Sequence, residues 1–372
     1  MSTKKALFAM LALVALAACS KDVVLQSNQN EIRYNVVAEN TTKASDVYCN
    51  NNMPGSFNVY ANYDGNTYID NDVIVKQNDG SWLNTSGVRY WPATGDVTFF
   101  AHVNAGTCFE GGAAPQIKDF TVPAAVADQQ DLLYAVKSQA KGNTPVNLNF
   151  RHALSQVVFQ AKNTNSNLYV EVSGVTVCNV GNTNTFTYPT ADTDANIENH
   201  SGAEGTVTYG DSWGTWAALA GGETDYQVAF DAVALPCASD AKSLTNTNDT
   251  GKEFSSNAML LLPQTTVAWD PATELSLADA SGSYFLVNCK IWNVAGDAWT
   301  STDVLLHDGL AAIPAAFSWE QGKKYVYTFV FGNGNGGYDP TDPSKPVLVP
   351  IDFEITVDDF VPVANQDYEM TN

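Results

Sequence analysis

Residues 351–360 read IDFEITVDDF, with Ile351, Phe353, Ile355 and Val357 set against Asp352, Glu354 and Thr356. Strict alternation of apolar and polar residues puts one kind on each face of a β-strand, because successive side chains point to opposite sides. The pattern recurs along the chain. In EIRYNVVAE, Ile32, Tyr34, Val36 and Ala38 share a face. Val97, Phe99, Ala101 and Val103 do so in DVTFFAHV, and Val146, Leu148 and Phe150 in VNLNF. YQVAFDAVAL, SYFLVNCKIWNV and KKYVYTFVF are further strand candidates. Clusters of Gly, Asn, Asp, Pro and Ser separate these runs and supply turns. No segment after residue 18 carries a long apolar stripe at helical spacing. Residues 153–157 and 124–130 would form short helical turns at most. Many short strands with turn signals predict antiparallel β-sandwiches.

One sandwich would be crowded by a chain of 372 residues. Two are expected, with a boundary in the polar break KSQAKGNTPV around Gly142. The stretch GNGNGGYDPTDPSKP, 332–346, reads as a flexible excursion before the final strand. Hydrophobic content of 45% with 16% charged residues describes a folded chain. The 16 Tyr, 17 Phe and 8 Trp suit pleated surfaces.

The beginning differs from the rest. Lys4 and Lys5 precede an apolar run, Ala6 to Ala18. That run is shorter than the roughly 20 apolar residues a membrane helix needs. A basic start, an apolar centre and small residues at the end describe a secretory signal. Leu16-Ala17-Ala18-Cys19 resembles the bacterial lipobox, which implies lipid on the Cys19 sulfur and cleavage before it. An ordinary signal peptide containing a cysteine is the alternative. Lys21 and Asp22 follow closely and resemble a partial surface-export cue.

The chain carries 40 acidic and 18 basic residues. Losing Lys4 and Lys5 with the signal moves the balance from −22 to 16 − 40 = −24. Such a surface repels nucleic acid and anionic lipid, so no nucleic-acid partner is expected and membrane attachment falls to acyl chains. Beyond Cys19, Cys49, Cys108, Cys178, Cys237 and Cys289 are scattered, an odd number with no CxxC pair. They read as buried free thiols, with oxidation of a pair as the exported alternative. No metal and no cofactor are expected.

Catalytic signals are thin. His102, His152, His200 and His307 form no HExxH motif and have no acidic or Cys neighbour at metal-ligand spacing. His152 reads as a packing or hydrogen-bonding residue. There is no GxSxG or Walker loop. Asp358 and Asp359, adjacent on a strand, point to opposite faces and make a poor glycosidase pair. ADTDANIEN, 191–199, is rich in oxygen ligands but lacks the Gly and terminal Glu of an EF-hand loop, so a solvated loop is expected. Trp213 and Trp216 in DSWGTW, with Trp292 and Trp299, are candidates for stacking on a sugar. Core and rim packing is the competing reading.

Several of these pieces occur in a telling order. The lipobox is followed by TTKAS (41–45), VRYWPATGDVTFFAHV (88–103), DLLYA (131–135) and VNLNFRHALSQVVF (146–159). MLLLPQ (259–264), FSWEQGKKYVYTFVF (317–331) and IDFEITVDDF complete the set. Together they resemble the fimbrillin family, the lipoprotein-precursor pilins and related surface proteins of Bacteroidota that build type V pili. The resemblance implies an all-β fold of two tandem transthyretin-like antiparallel β-sandwich domains. The expected organisation is a signal peptide (1–18), a lipidated leader with a removable first strand (19–43), and sandwiches at 44–142 and 143–372.

The resemblance also implies a route. The precursor is lipidated at Cys19 by lipoprotein-processing enzymes and carried to the outer-membrane surface. A trypsin-like protease cuts after a basic residue, and the vacated groove accepts a strand from another pilin subunit. Lys43–Ala44 matches the family's cleavage position, and Arg33–Tyr34 is the alternative. Ile32, Tyr34, Val36 and Ala38 would leave with the strand. Ile351, Phe353, Ile355 and Val357 are donor candidates, or else the last strand of the second sandwich, leaving Val361 to Asn372 as tail. The expectation is a structural subunit of stalk, tip or minor type, not an enzyme. The alternative is a lipid-anchored surface protein of the same fold that binds a glycan or host protein.

Overall fold

The computed structural model describes residues 30–38, 53–193, 211–219, 221–238, 240–244, 258–296, 298–332, 337–346 and 351–359. Cys19, Lys43 and Ala44 lie outside them.

The described chain is nearly all β. The first nine strands are β1 (Tyr34–Ala38), β2 (Ser56–Tyr63), β3 (Asn66–Lys76), β4 (Trp82–Asn84), β5 (Asp96–Val103), β6 (Phe109–Glu110), β7 (Gln116–Thr121), β8 (Leu133–Ala140) and β9 (Val146–His152). Seven of them form one sheet in the order β1-β9-β8-β5-β2-β3-β4. Between β2 and β3, Asp64 and Gly65 both sit at positive φ. A two-residue Asp-Gly turn of this kind matches the twist of a hairpin.

One face of this sheet carries the alternating residues read from the sequence. Val97, Phe99, Ala101, Val103, Val146, Leu148 and Phe150 are buried with Phe57, Val59, Ile69, Ile74, Ile32 and Tyr34. The sheet encloses that core by folding back on itself. Glu31, just before β1, bridges to Tyr90, beyond β4.

The second half supplies β10 (Ser155–Asn163), β11 (Leu168–Val180), β12 (Thr183–Thr187), β13 (Thr215–Trp216), β14 (Thr224–Leu235), β15 (Lys242–Ser243) and β16 (Met259–Leu261). It ends with β17 (Tyr284–Asn293), β18 (Val304–Pro314), β19 (Lys323–Phe331), β20 (Tyr338–Asp339), β21 (Asp342–Pro346) and β22 (Ile351–Asp359). Strands β15-β10-β19-β22 form one sheet, with β16 also on β10. Strands β14-β11-β17-β18-β20-β21 form another. Phe159, Tyr327, Phe329 and Phe331 from the first and Val170, Val172, Phe285 and Ile291 from the second share one core.

A small fourth sheet, β13-β12-β7-β6, joins early and late parts of the chain. Its Phe186, Ile117 and Phe120 share that core with Tyr60, Phe100 and Tyr134, which come from strands of the seven-stranded sheet. Both halves therefore contribute to one apolar interior.

Three features differ from the sequence reading. The polar break around Gly142 is a connection inside one sheet, since Leu133 pairs with His152 and Tyr134 with Arg151 across it. VNLNF thus stands with the strands before it. Among the strand pairings of the described residues, β1 with β9 and β10 with β19 are parallel. Alternation reveals a strand's faces and is silent on its neighbour's direction. Finally, residues 338–346 of the expected excursion contain a short hairpin, β20–β21, which extends a sheet.

Candidate strand-exchange site

The first described strand occupies a slot with two walls. Ile, Tyr and Val favour a pleated, half-buried surface, and YNVVA takes that form. On one side β1 runs parallel to β9, pairing Tyr34 with Val146 through Ala38 with Phe150. The Val146 N–H donates to the Arg33 carbonyl at 2.7 Å. On the other side the residues leading into β1 meet the strip 89–91. The Ile32 N–H donates to the Arg89 carbonyl and the Trp91 N–H to the Asn30 carbonyl, both at 2.8 Å. Pro92 follows Trp91 and biases it toward the extended backbone that such pairing needs.

Alternation then fills the slot. Ile32 and Tyr34 are buried, and Val36 packs beside them. The Tyr34 ring meets Phe57 and Phe99 edge-on, at 6.1 Å each. Each large apolar side chain buried in this way contributes about 1.5–3 kcal/mol. The Tyr34 hydroxyl is enclosed and finds no hydrogen-bond partner among the described residues. Burial first, and then the nearby Asp72 charge, raise its pKa above the ordinary phenol value. Outward-facing residues hold the strand more lightly. Arg33 is exposed, with Nη2 donating to the Asn143 carbonyl at 3.3 Å. Asn35 Nδ2 donates to Asn147 Oδ1 at 3.0 Å.

The strip 89–91 is tied to the sheet behind it. Arg89 grips Asp72 of β3 with two hydrogen bonds, Nε to Oδ2 at 2.7 Å and Nη2 to Oδ1 at 2.9 Å. Asn84 Nδ2 adds a third to Asp72, at 2.7 Å. Burial alone would raise the Asp72 carboxyl, but the hydrogen bonds from Arg89 and Asn84 outweigh it and hold the group below its usual range. Asp72 therefore stays charged at neutral pH. No sequence signal marked Asp72 or Arg89. Their partnership spans a hairpin and depends on register, which charge alone does not reveal.

At the other end of the chain, β22 is an edge strand. It pairs antiparallel with β19, from Phe331–Ile351 to Lys323–Asp359, and so acts as a strand of its own subunit. Val357 stands opposite Tyr325. Ile351 is buried and Phe353 half-buried, with the Phe353 ring 5.4 Å from Phe285. Ile355 remains 47% exposed.

The tryptophans offered as sugar contacts pack against the protein to different degrees. Trp213 is buried under the Arg151 guanidinium, 4.1 Å from its ring centre. Trp216 is half-buried, its indole N–H donating to the Ala153 carbonyl at 2.6 Å. Trp213 presents no free face, while Trp216 lines a hollow with Thr215, Ala217 and Gln264. Their sequence neighbours Ser212 and Gly214 are buried too, whereas Asp211 and Thr215 are exposed. Trp292 and Trp299 stay half-buried and group with Tyr169, whose ring stacks on Trp299 at 4.4 Å.

His152 is buried and its Nδ1 lies 2.7 Å from Asp131 Oδ2, a hydrogen-bonded core pair. In the acidic stretch at 191–199, Asp192 accepts from the Ser138 N–H at 2.7 Å and pairs with Lys137 at 2.9 Å. Among the described residues no group of three or more His, Cys, Asp or Glu could hold a metal, and Cys108, Cys178, Cys237 and Cys289 are free thiols. No helix among the described residues is long and apolar enough to cross a membrane.

Layered sheets with an apolar slot filled by the first strand define a structural β-sandwich protein. The chain belongs to the fimbrillin-like family, whose model matches residues 35–356, from within β1 to within β22. Membership supports a pilus-type adhesion subunit at the cell surface, a structural protein and not an enzyme. The chain is also similar to solved structures. One is a candidate cell adhesion protein from Bacteroides uniformis ATCC 8492, 13% identical, with TM-score 0.44 over 89% of this chain and 98% of that one. Another, from Bacteroides ovatus ATCC 8483, is 13% identical, with TM-score 0.45 over 90% and 98%. A fimbrial assembly protein from Parabacteroides distasonis ATCC 8503 is 12% identical, with TM-score 0.37 over 88% and 99%. A search of curated proteins finds no match.

Proposed function

We propose that this chain is a fimbrillin-type precursor that joins a pilus by β-strand exchange after its first strand is removed. The slot around β1 carries the reading. Loss of residues 30–38 would strip β9 of its partner along Val146–Phe150 and uncover the floor formed by Phe57 and Phe99. Unpaired backbone and bare apolar surface together favour capture of another extended strand. Alternation on the incoming strand then sets its register.

Lys43–Ala44 is the preferred cut. Cleavage after Arg33 would act inside a pairing that uses the Arg33 carbonyl, and would leave Tyr34 to Ala38 on β9. A protease needs an extended, unpaired segment, so that bond is shielded while β1 is seated. Lipid on Cys19 would carry the precursor to the outer-membrane surface before the cut. In this reading the leader spans 19–43, and the two transthyretin-like lobes divide after β9, a division the β8–β9 pairing supports. Ile351, Phe353, Ile355 and Val357 pair within their own subunit, which favours a tip or minor role over a stalk unit that donates this strand.

The second reading is a lipid-anchored protein that binds a glycan or host protein. The half-buried Tyr169, Trp292 and Trp299 favour it. The test is the N-terminus of protein sheared from intact cells, read by mass spectrometry. A start at Ala44 without lipid is expected. Acylated Cys19 joined to an intact Lys43 as the sole form would defeat the cleavage model and leave the anchored protein.

A further inference from the structure

We propose that the Arg89–Asp72 pair is a positioning clasp that keeps the strand slot formed while it is empty. This rests on the strand-exchange reading and adds the means by which the slot survives between the departure of one strand and the arrival of the next.

The two walls differ in kind. The β9 wall belongs to the continuous sheet and keeps β8 and the apolar core behind it. The 89–91 wall is an isolated strip whose backbone partner among the described residues is the segment 30–32. Once that segment leaves, a strip of this sort would lose its extended form unless it were held from another side.

Three contacts hold it, and none uses β1. The Arg89 fork closes on Asp72. The Tyr68 hydroxyl donates to the Tyr90 carbonyl at 2.6 Å. The Trp91 ring packs edge-on against Phe99 at 5.7 Å. Tyr68 and Asp72 both sit on β3 and Phe99 on β5, so the anchors lie in strands that stay behind.

The clasp is also an expensive choice for stability alone. Asp72 is 4% exposed, and Arg89 39%. Replacing a buried ion pair with apolar residues often leaves stability unchanged or raised. A bidentate fork gives directional restraint instead. With β1 seated, the strip is held from both sides and the clasp is redundant. With β1 gone, the clasp fixes where the Arg89 carbonyl points, beside the Tyr68 and Phe99 contacts to the next two residues. A slot shaped in advance saves the incoming strand the cost of ordering its wall.

The experiment uses the whole chain with a site for a sequence-specific protease in place of residues 40–46. After cutting, a fluorescent peptide of residues 29–40 is added, and its uptake is followed by anisotropy. The same variants are unfolded uncut in urea. Arg89→Gln and Asp72→Asn are expected to take up the peptide about tenfold more slowly than the parent. Their uncut midpoints should fall as well, since each single replacement leaves its partner unpaired, so Tyr68→Phe, whose uncut midpoint should stay close to the parental one, separates slot shape from stability. Tyr68→Phe, which removes a single hydroxyl and leaves the charges alone, should slow uptake several-fold. It carries the test if either charge variant fails to fold. Parental uptake rates in Tyr68→Phe and in the folded charge variants would overturn the clasp and leave strand exchange standing. A cut parent that takes up no peptide would sink strand exchange itself, and the clasp with it.

Discussion

The Arg151 guanidinium lies over the Trp213 ring, 4.1 Å from its centre, and both side chains are buried. Arg151 ends the β9 region that lines the strand slot, and Trp213 precedes β13 of the small sheet. The contact therefore ties one wall of the slot to the other half of the molecule. Arg151 also donates to the carbonyls of Ser212, at 3.1 Å, and Thr193, at 2.5 Å.

Removing this cation should cost about as much as a core truncation. Arg151→Ala takes its donor from the Ser212 carbonyl, leaves the Thr193 carbonyl with the Asn149 side-chain donor, and opens a cavity beside Trp213. We expect a loss of about 3 kcal/mol. Urea unfolding monitored by tryptophan fluorescence measures it, and a loss under 1 kcal/mol would show that the stack carries little weight.

Tyr34→Phe should act in the other direction. Its hydroxyl is enclosed without a hydrogen-bond partner, so deletion removes a desolvation penalty and spares the ring contacts with Phe57 and Phe99. A gain of about 1 kcal/mol is expected in the uncut chain. A fall in the urea midpoint would mean that the hydroxyl is satisfied in solution.

His102 sets a pH dependence. Its ring is buried, with Nε2 at 3.0 Å from Asn71 Oδ1 and Phe109 stacked on it at 4.7 Å. Burial pushes its pKa down to about 4. Between that value and the ordinary 6.5 or so, the unfolded chain binds a proton that the folded chain refuses. Stability from this group is complete above the upper value and declines as pH falls toward the lower one. The loss at pH 5 should be about 2 kcal/mol. His102→Gln should flatten the slope between pH 5 and 7, and an unchanged slope would assign it to other groups.

The last strand offers a paired comparison. Phe353 packs against Phe285 and Tyr327, whereas Ile355 on the same face is half exposed. Phe353→Ala should cost about 2 kcal/mol, and Ile355→Ser less than about 0.5. Equal effects would mean that β22 is covered in solution along its whole length.

The strands were legible where burial follows a simple period. EIRYNVVAE shows its inward residues at a glance, and Ile32 and Tyr34 are indeed buried. Strand partners were not legible. Alternation in β1 carries no mark of Val146 as its neighbour or of parallel direction. In β19 nearly every position is buried, because other parts of the fold cover both faces, so the period fades. The cover on Trp213 was not legible either, because Arg151 arrives from a distant strand that no local pattern marks. The Arg89–Asp72 pair was invisible because its meaning lies in what stands in front of it.

The parallel pairing of β1 with β9 has a consequence for the order of events. Asn35 and Asn147 face each other across 112 positions of chain. A pairing of such long reach cannot form early, and non-local contacts of this sort slow folding. The middle strands can zip by local hairpins while the first strand waits for residues that come much later. The N-terminal segment is thus expected to join its sheet last, as suits a strand that is proposed to be exchanged.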